Sequence, residues 1–405
     1  MFANPVRLVA RLPRPVRLLI LGTFVNRLGS FITPFLALVA QREFGLSPGQ
    51  TGALVMAYGA GSLASILVGG QVTDRLGRRT ALLLSLFGSG ALAVGMAASP
   101  SLHAFVPMLV LFGLLVDLYR PASASIISDL LPSADRAVGF AAMRLAVNLG
   151  FAVGVAVGGV LADTNWRLLF AGDGLTTLLF GMLVWIAIGE TRPGGGPAAA
   201  AGPGAAAPPS PWRDRVFCAA LFASFSFCLV LCSFSTLLPL TVTQSAGYPA
   251  KVYGLLLSAN GLVVSLFEVP VAHAFTHGRR LRVAAIGLVL TGLGFGLSGM
   301  VRHWAWLLAM VVLWTFGEIL TLPQYTAFVA DWAPPEARGR YMSLSQATFS
   351  LAFALNPVIT LPLRARFGEA VIWPLHLVVV LPAVVVLVHL DRTADRPERL
   401  RGRQA

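Results

Sequence analysis

The 405-residue chain is poor in charge: only 12% of its residues are Asp, Glu, Lys or Arg, about half the share of an ordinary soluble domain. Within it there is no hydrophilic stretch long enough to fold as an ATPase or signalling domain, and no G-x-x-x-x-G-K-[ST] loop to cradle nucleotide phosphates. Cysteine is scarce. Cys218, Cys228 and Cys232 share one apolar segment, so they read as packing residues rather than disulfide or metal partners. Acids are outnumbered, 17 against 30 basic residues, for a formal net charge of +13. No basic start, short apolar core and cleavage site precede a hydrophilic mature domain, so the first apolar segment is expected to remain as a helix. No local motif supplies a nucleophile, an acid–base pair or a dense metal-ligand set, and the expectation is neither an enzyme nor a cofactor or metal protein.

What the chain has is apolar length. It is 56% hydrophobic with mean hydropathy +0.77. Spanning segments lie at 16-40, 50-72, 80-99, 104-128, 138-162, 167-189, 215-241, 251-275, 283-301, 304-329, 341-363 and 370-390. At 1.5 Å per residue each reaches across roughly 30 Å of hydrocarbon. The spacing predicts an all-α polytopic membrane protein with twelve transmembrane helices in two pseudo-symmetric six-helix bundles.

Positive residues orient the chain, because Arg and Lys concentrate on the cytoplasmic side. With the N-terminus inside, that side receives twenty-one of them and the other side six: Arg42, Arg167, Lys251, Arg302, Arg364 and Arg366. Both termini are therefore expected in the cytoplasm. The positive charge reads as topology and attraction to the inner leaflet, not as a nucleic-acid surface. Between the sixth and seventh segments, 194–211 is rich in Gly, Ala and Pro and carries no charge, which predicts a flexible tether. The expected layout is a first bundle at 1-190, a linker at 191-213, a second bundle at 214-392 and a tail at 393-405.

The two halves repeat one another. Asp129, Pro132 and Arg136 recur as Asp331, Pro334 and Arg338, 202 positions later, and Pro121 and Pro323 share that offset. Gly77-Arg78-Arg79 recurs as Gly278-Arg279-Arg280, offset by 201. Three matches at nearly one spacing indicate a duplicated unit.

Gly70, Asp74, Arg75, Gly77, Arg78 and Arg79 fit the pattern G-x-x-x-D-R-x-G-R-R between the second and third segments, which resembles the loop signature of the major facilitator superfamily. In the second copy Phe275 and Thr276 stand in place of the acid and first base. Gly150, Gly154, Gly158 and Gly159 resemble the fifth-helix signature of the drug/proton antiporter branch, with Val155 replacing its proline; glycines so spaced are equally a helix-packing device. Tyr119-Arg120-Pro121-Ala122 is similar to bacterial multidrug exporters. The resemblance implies two bundles rocking about a cavity lined by helices 1, 4, 7 and 10. It also implies an inner gate at Asp74, facing helix 11, with Arg75, Arg78 and Arg79 as gate residues or topological anchors. Asp129 and Arg136, then Asp331 and Arg338, are expected to clasp the inner loops.

Charges at membrane depth need a wet cavity or a partner. Arg27 lies beside Asn26 in the first segment, Asp117 and Arg120 are three apart in the fourth, and Arg144 precedes Asn148 by one turn in the fifth. Glu318 sits near the middle of the tenth. A carboxylate whose surroundings change can load and release a proton, so Asp117 and Glu318 are the coupling candidates, with Arg27, Arg120 and Arg144 as charge partners. Asp117 and Arg120 could equally form a fixed structural pair. Glu268, followed by Pro270, His273 and His277, suggests a helix-end, proton-handling or metal role, while His103, His303, His376 and His389 lie near helix ends without a constellation. Candidate substrate contacts are Asn26, Arg27, Asp117, Arg120, Asn148, Phe234, Trp314 and Glu318. Pro34, Pro239, Pro323 and Pro357 either shape gates or simply end and kink helices.

These readings predict a monomeric, proton-coupled secondary active transporter of the bacterial cytoplasmic membrane. It would meet lipids and a small-molecule substrate and export amphipathic or drug-like compounds by alternating access. Proton-coupled uptake of a sugar, peptide or organic anion is the alternative.

Overall fold

The computed structural model describes residues 11–191, 210–275, 279–334 and 337–393. Most of the expected linker and the tail beyond 393 lie outside the described residues, as do Thr276, His277, Gly278 and the side chains of Asp74 and His273. The described chain is helical. The first half contains α1 (Arg14–Leu28), α2 (Ile32–Arg42), α3 (Pro48–Leu76), α4 (Arg78–Ala97), α5 (Leu102–Val116), α6 (Tyr119–Leu130), α7 (Ser133–Thr164) and α8 (Trp166–Ala187). The second contains α9 (Arg215–Leu231), α10 (Ser233–Leu240) with a π turn over Thr241–Ser245, α11 (Ala250–Ala274), α12 (Arg280–Gly296), α13 (Trp304–Trp332), α14 (Arg338–Phe367) and α15 (Glu369–Thr393).

Among the described residues, eleven spans are long and apolar enough to cross a bilayer. Three of these, Arg14–Arg42, Leu102–Leu130 and Arg215–Ser245, are each built from shorter helices placed end to end. The twelfth expected segment, 283–301, is represented by α12, a shorter helix of 17 residues that ends at Gly296 and passes into turns. Apolar side chains lie bare on the outer faces, among them Ile186, Leu266, Val269, Met300 and Val385, each at least 66% exposed. Such a surface is tolerable in lipid and costly in water. The chain is a multi-pass membrane protein.

Proline explains two of the breaks. Pro121 has no N–H to give to the carbonyl of Asp117, four residues upstream, and its ring crowds that carbonyl. The helix ends at Val116, and the Arg120 N–H takes the Asp117 carbonyl instead at 3.1 Å. Pro34 stands in the same relation to Ser30, and the first span is interrupted between Leu28 and Ile32. Pro323 and Pro357 sit inside α13 and α14, which continue through them.

The chain divides into two compact units, residues 1–39 with 57–205 and residues 40–56 with 206–405. Within the first, α4 packs on α8, α1 on α7 and α8, and α4 on α5; within the second, α12 packs on α15, α9 on α14 and α15, and α12 on α13. Segment by segment this is one packing scheme used twice. The glycines of α7 carry its contact with α1: a Cβ on Gly154 would lie 2.6 Å from the Arg27 carbonyl oxygen and 2.8 Å from that of Leu28. The fifth-helix signature is thus a groove in which the backbone of α1 lies.

A charged clasp at one end of each unit is duplicated as well. In the first unit, the Arg78 guanidinium meets Asp129 at 3.1 Å, and the Glu190 carboxylate accepts the backbone N–H groups of Arg78 at 2.9 Å and Arg79 at 3.2 Å. This anion caps the start of α4, where free amides and the helix dipole favour it. Gly77 is required there, since its φ is +93° and a Cβ would fall 2.5 Å from the Glu190 carboxylate. In the second unit Arg280 pairs with Asp331, and Arg279 with Asp391 at 2.9 Å. The expected clasp partners need correcting here. Arg136 donates to the Leu131 carbonyl at 3.1 Å and Arg338 is exposed at the start of α14, so the acids Asp129 and Asp331 are held by the arginines of the glycine–arginine turns instead.

Replacing Gly154 with Ala is expected to lower unfolding stability in detergent by ~1–3 kcal/mol, because the α1 backbone cannot yield. Gly70→Ala, with nothing within 4 Å of its Cβ position, should stay within about 0.5 kcal/mol of wild type; equal melting shifts for the two would refute the groove. In a double-mutant cycle of Arg78→Gln and Asp129→Asn, the half-buried pair should show ~0.5–1 kcal/mol of coupling in thermal unfolding, and additive effects would show the clasp to be energetically idle.

Candidate functional site

Polar side chains gather at the helix breaks. In the first unit Asp117 occupies the junction of α5 and α6, so its carboxylate leaves the helical array. Arg120 reaches back to it at 2.6 Å, and the Ser62 hydroxyl of α3 donates to the other carboxylate oxygen. Asp117 is buried while the Arg120 side chain is half exposed, at 51%. Tyr58, one turn before Ser62, shares a 3.0 Å hydrogen bond with Thr33 of α2. Asp117 and Arg120 thus pair directly, with the acid enclosed and one side of the arginine exposed.

Arg27, at the end of α1, donates to the Tyr119 hydroxyl, lies 5.3 Å from the centroid of the Tyr119 ring and donates to Ser30 at 3.3 Å. Its Nε is buried without a hydrogen-bond partner. Because Tyr119 lies between Asp117 and Arg120, the break in the fourth span ties all four residues into one cluster. Asn26 turns the other way. It is buried and donates to Thr177 of α8 at 2.7 Å, which places it behind the cluster rather than on a substrate surface. Arg144 is exposed on α7 and Asn148 half-buried one turn on.

In the second unit, Glu318 of α13 accepts a 3.2 Å hydrogen bond from Asn260 of α11, whose amide also donates to Thr315 at 2.9 Å. Glu318 follows Asp117 by 201 positions, the spacing of the glycine–arginine turns. Each unit thus holds one carboxylate on its fourth span against a polar side chain of its second span: Asp117 on Ser62, and Glu318 on Asn260.

Two expectations are corrected. Trp314 is buried at 2%, stacked on Phe295 with centroids 5.0 Å apart and set against Gly294, so it is core filling between α12 and α13 and not a substrate wall. His376 does belong to a constellation. It is buried in α15 with Nδ1 2.9 Å from the Trp373 carbonyl and Nε2 2.8 Å from the Ser233 hydroxyl. Phe234 is half-buried, its backbone carbonyl accepting from Tyr253 at 3.0 Å. Glu268 is buried within α11. Arg75 is exposed, and the gate role of Asp74 falls outside the described side chains. Among the described residues, no group of three or more His, Cys, Asp or Glu is placed to hold a metal ion.

Several participants carry little or no mark in the sequence. Asn260, Ser62 and Tyr119 are ordinary residues in apolar segments and gain meaning only from their partners. Asp173 was legible, being a carboxylate at depth in the sixth apolar segment; the criterion that singled out Asp117 applies to it equally. It is buried at 7%, accepts the Ile32 N–H at 3.3 Å and lies 3.5 Å from the Thr177 hydroxyl.

The Major Facilitator Superfamily profile matches residues 19–275 and 221–405. A Na(+), Li(+), K(+)/H(+) antiporter of Planococcus maritimus is 26% identical over 380 residues, covering 85% of this chain and 88% of that protein. The quinolone resistance protein NorA of Staphylococcus aureus (strain MSSA476) is 22% identical over 230 residues, 56% of this chain and 58% of that protein. A crystal structure of a POT family transporter in complex with 5-aminolevulinic acid superposes with a TM-score of 0.83 at 15% identity, covering 94% of this chain and 96% of the other. Together with one packing scheme used twice along a polytopic chain, these matches mean that the protein belongs to the Major Facilitator Superfamily and is a membrane transporter, not an enzyme.

Proposed function

We propose that the protein is a proton-coupled antiporter exporting small amphipathic or drug-like molecules by alternating access, with Asp117 and Glu318 as the proton-carrying residues. The observation that carries this reading is the repeat-related placement of two carboxylates, one on the fourth span of each unit, each accepting from a hydroxyl or amide of the second span, with Asp117 also paired to Arg120. A swing of Arg120 away from Asp117 would remove the charge that favours the carboxylate form, which is the step that would let the acid take up a proton. Arg27 and Arg120 would meet an anionic or polar end of the cargo, and apolar side chains such as Phe234 its body. The antiporter and quinolone-resistance relatives support exchange and export.

Uptake is the second reading, favoured by Val155 where the antiporter signature has proline. The remaining expectations accompany the proposal: a monomer in the bacterial cytoplasmic membrane with both termini inside, H+ as driving ion, no cofactor and no nucleic-acid partner. Asp74, Arg75, Arg78 and Arg79 would act at the inner gate and Arg144 as an accessory charge.

Proteoliposomes with an imposed pH gradient and a panel of quinolones and lipophilic cations provide the test. Gradient-driven flux of a transported compound should fall at least ~10-fold in Asp117→Asn and in Glu318→Gln, with binding of that compound retained. Undiminished gradient-driven flux in both variants would overturn the assignment, and accumulation in the direction of proton flow would establish uptake in place of export.

A further inference from the structure

The interruption of the first span turns the Gly29, Ser30 and Phe31 amides into tight local bonds and leaves the buried Ile32 N–H to find its acceptor outside the helix. That acceptor comes from another helix: the Asp173 carboxylate of α8 accepts the Ile32 N–H at the first turn of α2, with the Phe31 amide beside it. Asp173 is joined through Thr177 to Asn26, the residue before Arg27, so one acid reaches both sides of the break, one directly and the other through a hydroxyl. Its position is repeated. His376 of α15 follows Asp173 by 203 positions, and Cys232, where the seventh span is interrupted, follows Gly29 by the same number. His376 bonds Ser233 at that second interruption, where Asn356 also donates to Ser233 at 2.9 Å and to the Leu229 carbonyl at 2.8 Å. In both units the sixth span therefore pins the break in the first span through one ionisable side chain.

We infer that Asp173 is a protonatable positioning residue of the transport cycle: as a carboxylate it pins the Leu28–Ile32 break and thereby sets the aim of Arg27, and on taking a proton it loosens that pin. A charged acceptor bonds a backbone N–H about twice as strongly as a neutral one, and the start of α2 favours negative charge further. The ionisable groups facing the carboxylate are Arg27 from α1 and Tyr58 from α3. Arg27 is the residue whose Nε is buried without a partner, so the acid that pins the break stands beside the cation it orients. Asp173 needs no contact with cargo in this role. The inference is independent of what the protein carries and of the direction of transport.

Hydrogen–deuterium exchange of the whole protein in lipid nanodiscs tests it without a ligand. After correction for intrinsic rates, protection of the amides at 28–35 should fall at least ~3-fold between ~pH 8 and ~pH 5 in wild type. Asp173→Asn keeps an acceptor oxygen but cannot titrate; its protection in that window should be independent of pH, and Asp173→Glu should restore the dependence. A flat wild-type profile overturns the inference whether or not any variant folds. So does a wild-type pH dependence retained in Asp173→Asn, or one that survives there and vanishes in Asp117→Asn, which would move the titration to the other acid.

Discussion

In hydrocarbon every backbone N–H and carbonyl must be satisfied within the protein, and every charge must find a partner or a wet surface. Unbroken helices meet the first demand automatically. This chain breaks its first, fourth and seventh spans, and wherever it does so another segment supplies the missing bond. Asp173 serves the first break, the Ser85 hydroxyl of α4 donates to the Leu115 carbonyl and accepts the Tyr119 N–H at the fourth, and Asn356 with His376 serves the seventh. At these three breaks interruption and polarity coincide, whereas Glu318 and Asn260 meet between unbroken helices. Arg27 precedes the first break, Asp117 sits in the second, and Ser233 follows the third.

The same demand accounts for the close helix contacts. With lipid as apolar as a leucine side chain, helices gain little from burying large residues against each other, and small residues that let backbones approach become the means of association. Gly154 brings α7 onto the carbonyls of Arg27 and Leu28 immediately before the first break. The first span is consequently held on two sides, by a glycine groove on α7 and by a carboxylate on α8, and Arg27 is directed by that double support toward Tyr119. Charge at the ends of the spans is managed differently. There the glycine–arginine turns reach acids that end neighbouring helices, and Glu190 doubles as a cap for α4.

Much of the fold was legible because lipid imposes a simple code. Apolar runs of spanning length gave the helices to within a few residues, and the shared offsets of Asp129/Asp331 and Pro121/Pro323 revealed a duplication that the packing reproduces. Intrahelical pairing was legible too: Asp117 and Arg120, three apart, do meet. Partners across helices were not. Short spacing along the chain points to Arg136 and Arg338 as partners of the clasp acids, whereas the bonds run to Arg78 and Arg280, some fifty residues away. Trp314 looked like a wall because aromatics line cavities, but the facing side of α12 is glycine-rich and takes its ring into the core.

Composition and pattern by themselves determined that this protein is a polytopic, duplicated helical chain with arginine-rich turns and a few charges at depth. Those properties follow from length, hydropathy and spacing along one dimension. Tertiary structure alone decided which of the deep polar groups act together, because contacts such as Ser62 to Asp117, Asn260 to Glu318 and Ile32 to Asp173 join residues that are remote in sequence. The physical reason is the break itself: a helix specifies its own hydrogen bonds locally, but an interrupted one leaves groups whose partners only the packing of other helices can provide.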